Sequence, residues 1–194
     1  MKKPNVLKKE QEPTRETAER KAMLVLFKYP DKEFSLSDLA KEAGVAKGNI
    51  GAYIKILEDA GLIRIERLSK IWRIRAAREN EHFKRMKTAV NLTKILNSNI
   101  VEAVNSRFHN PKAIVLFGSY RKGEDVTSSD IDIAVECDES KEYPTTELSE
   151  LAGLEKQLAR RIQIHRFNRK SVDINLFNNI ANGIVLSGFL EVKP

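Results

Sequence analysis

AIVLFGSYRKGEDVTSSDIDIAVE, residues 113–136, holds two apolar runs of strand length separated by about a dozen mostly polar residues. Gly118-Ser119 ends the first run, and Asp130-Ile131-Asp132 opens the second. Side chains alternate along a strand, so Asp130 and Asp132 point the same way. Two like charges at that spacing are costly unless a cation lies between them. A hard divalent ion such as Mg²⁺, held by carboxylate oxygens, resolves the conflict. Gly118 allows the backbone close to phosphate, Ser119 adds a hydroxyl and an N–H donor, and a helix N-terminus after them favours anions. Lys122 is placed to neutralise phosphate charge, and Ser129 is counted with these three as nucleotide-binding. A third carboxylate, Asp173, sits in Ser171-Val172-Asp173-Ile174-Asn175-Leu176, an apolar run read as a strand. If that strand pairs beside the Asp-x-Asp strand, three carboxylates converge on one sheet face, a constellation suited to phosphoryl-type transfer.

Around this stretch the second half of the chain alternates. Strands are expected at 113–117, 131–136, 162–167 and 172–177, with a helix over 146–160 and a last helix over 179–190. His165 falls on an expected strand and is given no role, because its spacing from Arg160 is read as coincidence. The single cysteine, Cys137, excludes an intrachain disulfide and a cysteine-rich zinc site.

The first half differs in charge. Residues 1–110 carry 23 Lys+Arg against 14 Asp+Glu, whereas residues 111–194 carry 11 against 13. A basic half attracts polyanions such as nucleic acid. Residues 1–13 read as a flexible arm, and Thr14 as the cap of a helix reaching about Lys28. Ser35 with Asp38 three residues later resembles a capping box for a short helix that Gly44 stops. Ile50, Tyr53, Ile54 and Leu57 give a third helix its apolar face. Residues 62–67 and 71–75 alternate with period two around a turn, a hairpin with one apolar and one basic face. Residues 77–110 read as a helical linker. The start lacks the apolar core of a signal peptide and no run is long enough to span a bilayer, so a soluble cytoplasmic protein is expected.

Gly118-Ser119-Tyr120-Arg121-Lys122-Gly123 followed by Ser128-Ser129-Asp130-Ile131-Asp132 resembles the signature of the minimal nucleotidyltransferases of the DNA polymerase β superfamily. The resemblance covers about residues 111–190, within a nucleotidyltransferase domain expected over 111–194. It implies a domain with a mixed sheet, two Mg²⁺ ions (or Mn²⁺) and a nucleoside triphosphate donor, ATP foremost. It also implies Asp130, Asp132 and Asp173 as metal-binding and catalytic residues, with Asp173 helping to activate the acceptor hydroxyl. Acceptors in this group include a tyrosine of a toxin partner and small molecules. Lys122 stands where the family often has Arg, which trades a bidentate fork for a point charge. Phe34–Arg67, with Leu39-Ala40-Lys41-Glu42-Ala43-Gly44-Val45, Leu57-Glu58-Asp59-Ala60-Gly61-Leu62-Ile63 and the basic hairpin, resembles winged helix-turn-helix domains of the MarR and ArsR type, and residues 14–76 are expected to form that domain. That resemblance implies Lys47, Asn49, Tyr53 and Lys55 in the major groove of duplex DNA, phosphate contacts from Arg64, Arg67, Lys70, Arg73 and Arg75, and a homodimer. The expected fold class is α+β, a winged helix joined to a polymerase β-like domain. Two functions stay open: a nucleotidyltransferase with an antitoxin-like, DNA-binding N-terminal domain, or a transcription regulator whose second domain only senses nucleotide.

Overall fold

A computed structural model describes residues 17–69, 71–137 and 149–192. The chain forms two compact units, Met1–Ala76 and Ala77–Pro194. No helix among the described residues is long and apolar enough to cross a membrane.

The first unit runs α1 (Ala18–Lys28), α2 (Leu36–Ala43), α3 (Lys47–Asp59), β1 (Ile63–Leu68) and β2 (Ile71–Ala76). Thr17 caps α1 by accepting from the Arg20 N–H at 3.2 Å, whereas the expected cap, Thr14, lies outside the described residues. The Ser35 hydroxyl accepts from the Asp38 N–H at 3.1 Å and donates to the Asp38 carboxylate at 2.7 Å, the local chemistry that starts α2. Gly44, at φ 61°, ends it in the left-handed region. Leu26, Leu39, Ile50, Ile54, Leu57 and Ile74 fill the core. Phe34 exchanges both backbone hydrogen bonds with Ile74, adding a one-residue bridge to the hairpin.

In the second unit a four-stranded mixed sheet has the order β5-β4-β3-β6. Its strands are β3 (Ala113–Phe117), β4 (Ile131–Glu136), β5 (Ile162–Phe167) and β6 (Ile184–Gly188). β4 is antiparallel to β3 and parallel to β5, and β6 is antiparallel to β3. Helices α4 (Glu81–Leu96), α5 (Ile100–Arg107), α6 (Gly118–Lys122), α7 (Ser149–Leu158) and α8 (Ile174–Ala181) complete the unit. Every β3 residue is buried, as a central strand requires. Ile114, Leu116, Ile131, Ile133 and Val135 pack against Ile95, Ile100 and Val104 and against Leu151, Leu154 and Leu158 of α7. Ala113, Val115, Phe117, Ala134 and Phe167 form the other face, which packs on Ile180, Leu176 and Phe177 of α8.

Two expectations are corrected here. The run 172–177 is not a strand, and 179–190 is not a helix. Asp173 instead caps α8, accepting from the N–H groups of Asn175 at 2.9 Å and Leu176 at 3.0 Å, and β6 follows. Val-Asp-Ile-Asn-Leu alternates like a strand. However, Asp is a strong helix N-cap, and Leu176, Phe177 and Ile180 lie at helical spacing on the face that meets the sheet.

The segment expected as a helical linker is built into the second unit, and its buried stripe includes a charge. Lys87 is fully buried in α4 and donates to the carboxylate of Asp125 and, at 3.1 Å, to its backbone carbonyl. Asn91, one turn on, donates to Asp125 Oδ1 at 2.8 Å and to the Tyr120 carbonyl at 2.9 Å. The Arg160 guanidinium lies 3.7 Å from Asp125 Oδ2. Burial pushes the Lys87 pKa down, and Asp125 opposes it. This cluster pins the segment between α6 and β4 to α4. Gly123, at φ 70°, leaves the close approach open, since a methyl there would meet the Lys84 carbonyl at 2.3 Å. Removing one partner of a buried pair strands the other charge, so Lys87→Met should cost about 3–5 kcal/mol in urea unfolding. Lys87→Met with Asp125→Leu should recover most of that loss. Equal destabilisation by the single and double variants would show that the charges are not coupled.

Candidate active site

The site is set by the register of β3 and β4. Phe117 pairs with Asp132, so Gly118, the next residue after β3, lies beside that carboxylate. Gly118 has φ 73°, and a Cβ built on it would stand 2.3 Å from Asp132 Oδ2. The glycine is required here twice, by its left-handed backbone and by the carboxylate against it. From this point α6 turns away, closed by Gly123.

Asp132 and Asp130 are 22% and 31% exposed, partly withdrawn from water but open to a ligand. Asp132 Oδ1 lies 3.0 Å from His165 Nε2 on β5, and Asp130 Oδ1 lies 3.9 Å from Arg161 Nε. The turn before β4 is closed by Ser129, whose hydroxyl accepts from the Val126 N–H at 2.9 Å and whose N–H donates to the Val126 carbonyl at 3.0 Å. Thus Ser129, expected to touch nucleotide, fixes the backbone that delivers Asp130. Ser119 is half-buried in the first turn of α6, and Lys122 is exposed in its last turn.

Asp173 is not brought to this place. β4 and β5 run parallel from Ile131↔Ile162 to Glu136↔Phe167, which is roughly 16 Å of strand. Asp130 and Asp132 are at the start of that path. Asp173 follows its end, and its neighbours Val172 and Ile174 line a cavity of about 590 Å³ with Lys112, Glu136 and Asn168. Its Oδ1 is engaged in capping α8. Beside Asp132, β5 instead presents Gln163 in direct register and His165 two residues later. The sequence reading missed His165, because only the β4–β5 register reveals its proximity.

Among the described residues no three His, Cys, Asp or Glu side chains form a group able to hold a metal ion. A pair of aspartates is still a fitting donor set for Mg²⁺ or Mn²⁺, which commonly bind through one or two carboxylates together with substrate phosphate oxygens rather than in an all-protein cage.

In the first unit, Lys47, Lys55 and Arg64 are exposed and Tyr53 is half-buried. The Asn49 side chain and Lys70 lie outside the described residues. The hairpin does not have one wholly basic face. Arg67 pairs with Trp72 in register, lies over its ring at 5.1 Å, and grips Glu58 of α3 through two hydrogen bonds of 2.9 and 2.5 Å. Arg73 reaches Glu66 at 3.5 Å and Glu33 at 3.9 Å, and Arg75 reaches Glu33 at 2.6 Å. The Arg67 contact holds the Glu58 carboxyl below its ordinary pKa.

A family profile described as "Polymerase beta, Nucleotidyltransferase" matches residues 98–188, which begin two residues before α5 and end with β6. A protein of Methanocaldococcus jannaschii that bears the name "Putative protein adenylyltransferase" is 34% identical over 100 residues, covering 47% of this chain and 97% of that protein. A Gly118→Ala substitution tests the geometry of the site. It should lower nucleotidyl transfer by on the order of 100-fold, the scale expected for a displacement of about 1 Å at a reacting centre. It should cost only about 1–2 kcal/mol in stability for the left-handed backbone. Transfer within a few-fold of the unsubstituted protein would show that the approach of residue 118 to Asp132 is not needed.

Proposed function

The chain belongs to the polymerase β nucleotidyltransferase family, and on that premise we propose that it transfers AMP from ATP to a hydroxyl of a separate protein. The acceptor oxygen attacks the α-phosphorus, the bond to the β-phosphate oxygen breaks, pyrophosphate leaves, and the hydroxyl proton passes to solvent. The observation that carries this reading is the Asp130/Asp132 pair set against the left-handed Gly118 at one end of the β3–β4 pair. Asp130 and Asp132 would hold a divalent cation. When bound, the cation offsets the charge of the triphosphate and stabilises the in-line transition state. Gly118 and Ser119 open a path for backbone N–H groups to approach phosphate, and Lys122 supplies a point charge beside it. The name of the Methanocaldococcus relative supports a protein acceptor, a class that would include the toxin-type partner of an antitoxin-like protein.

The test is incubation with ATP labelled on the α-phosphorus, Mg²⁺ or Mn²⁺, and the proteins encoded beside this chain. Label should pass to a protein and resist boiling in detergent. Asp130→Asn with Asp132→Asn should reduce it by at least about 1,000-fold, since removing one transition-state contact already costs roughly 100- to 1,000-fold. Undiminished labelling by the double variant would overturn the proposal.

We further propose that residues 17–76 are a winged helix that contacts duplex DNA. The order helix, helix, turn, helix, hairpin and the Phe34–Ile74 bridge support it. Lys47 and Lys55 are the contacts we favour, because Arg67, Arg73 and Arg75 already face carboxylates. In a mobility-shift titration against salt, Lys47→Ala and Lys55→Ala should each lower the log–log slope by about 1, the signature of one lost phosphate contact. Arg73→Ala should leave the slope unchanged. No binding to duplex at low salt would remove the proposal.

A further inference from the structure

We infer that His165 is the positioning residue that orients the Asp132 carboxylate at the reaction centre, an inference that rests on the nucleotidyl-transfer reading of that site. The two residues are 33 apart in sequence and meet because β5 lies parallel to β4, with Asp132 opposite Gln163 and Ala134 opposite His165. All four side chains lie on one sheet face. Ala134, the partner of His165 in register, is small and fully buried, so the imidazole has room to lean back along the strand toward Asp132. Its Nε2 stands 3.0 Å from Asp132 Oδ1. A carboxylate only accepts hydrogen bonds, so the ring nitrogen is the donor. The ring is steadied from the other side by Phe117, edge-on at 5.0 Å between centroids and 72° between planes. Phe117 is itself the register partner of Asp132 and the residue before Gly118. Each oxygen of Asp132 therefore has a fixed neighbour: Oδ1 the imidazole, Oδ2 the bare backbone of Gly118. Turning the carboxylate would break the first contact and drive an oxygen away from the second. A group that holds a metal-binding carboxylate in this way commonly governs metal affinity and activity by 10–100-fold without touching the metal.

The experiment uses the full chain and measures Mn²⁺ binding by electron paramagnetic resonance with a non-hydrolysable ATP analogue present, alongside kcat and KM for ATP. His165→Phe keeps an aromatic ring against Phe117 and removes the donor. His165→Gln keeps an N–H donor and removes the ring. His165→Phe should weaken Mn²⁺ binding by about 10–100-fold and lower kcat, with little change in KM at saturating metal. His165→Gln should restore Mn²⁺ affinity to within about five-fold of the unsubstituted chain, a rescue that a packing role would not give. Wild-type Mn²⁺ affinity in His165→Phe overturns the inference, and so does a His165→Gln variant as weak as His165→Phe. Asp132→Asn separates the two levels. If it abolishes Mn²⁺ binding while His165→Phe binds Mn²⁺ as tightly as the unsubstituted chain, the inference about His165 fails and the site survives. If the unsubstituted chain binds no Mn²⁺ with the analogue, both fail.

Discussion

The pairing of Phe117 with Asp132 across β3 and β4 is the contact on which the site depends. It fixes which residue follows β3 at the level of the carboxylate, and that residue has no side chain. A slip of one residue in this ladder would turn Asp132 into the face packed by α5 and α7 and bring an isoleucine to the glycine. The hydrophobic pattern forbids the slip. Ile114, Leu116, Ile131, Ile133 and Val135 must all face the same helices, and their burial holds the register that places the chemistry. Packing and function are thus set by one decision.

The segment from Gly123 to Asp130 crosses from α6 back to β4 with little apolar surface of its own. It is held by a buried charge and its partners: Lys87 and Asn91 from α4, Arg160 beyond the end of α7, and Asp125 at the centre. Buried ion pairs are weak sources of stability, because desolvation offsets most of their attraction. They are strong sources of definition, since any other placement of Asp125 leaves a charge in an apolar interior. The loop that delivers Asp130 is located by the expense of its alternatives.

Much of the fold was legible in the sequence. The strands at 113–117, 131–136 and 162–167 are apolar runs with clear polar ends, and they stand where the periodicity puts them. The Ser35 cap and the hairpin at 62–75 were equally local. What could not be read was decided by contacts far apart in the chain. Asp173 sits in a run that alternates like a strand, and only its capping bonds and the apolar face of α8 against the sheet decide for helix. His165 meets Asp132 through a parallel register, which no local pattern specifies. Lys87 looks like an ordinary surface lysine on an amphipathic helix until Asp125, 38 residues later, is placed against it. The aspartate pair and its glycine were visible because they are local in the chain. Their supporting residues were not, because they are near only in space.

The dependence of Asp125 on α4 changes what counts as the smallest autonomous piece of this protein. The region that the family profile matches begins at residue 98, after the helix that carries Lys87 and Asn91 has ended. Here the helix before that region supplies the interior with a counter-ion. An excised fragment starting at the family boundary would retain the acid and lose its base, so a self-sufficient piece must begin upstream of Lys87.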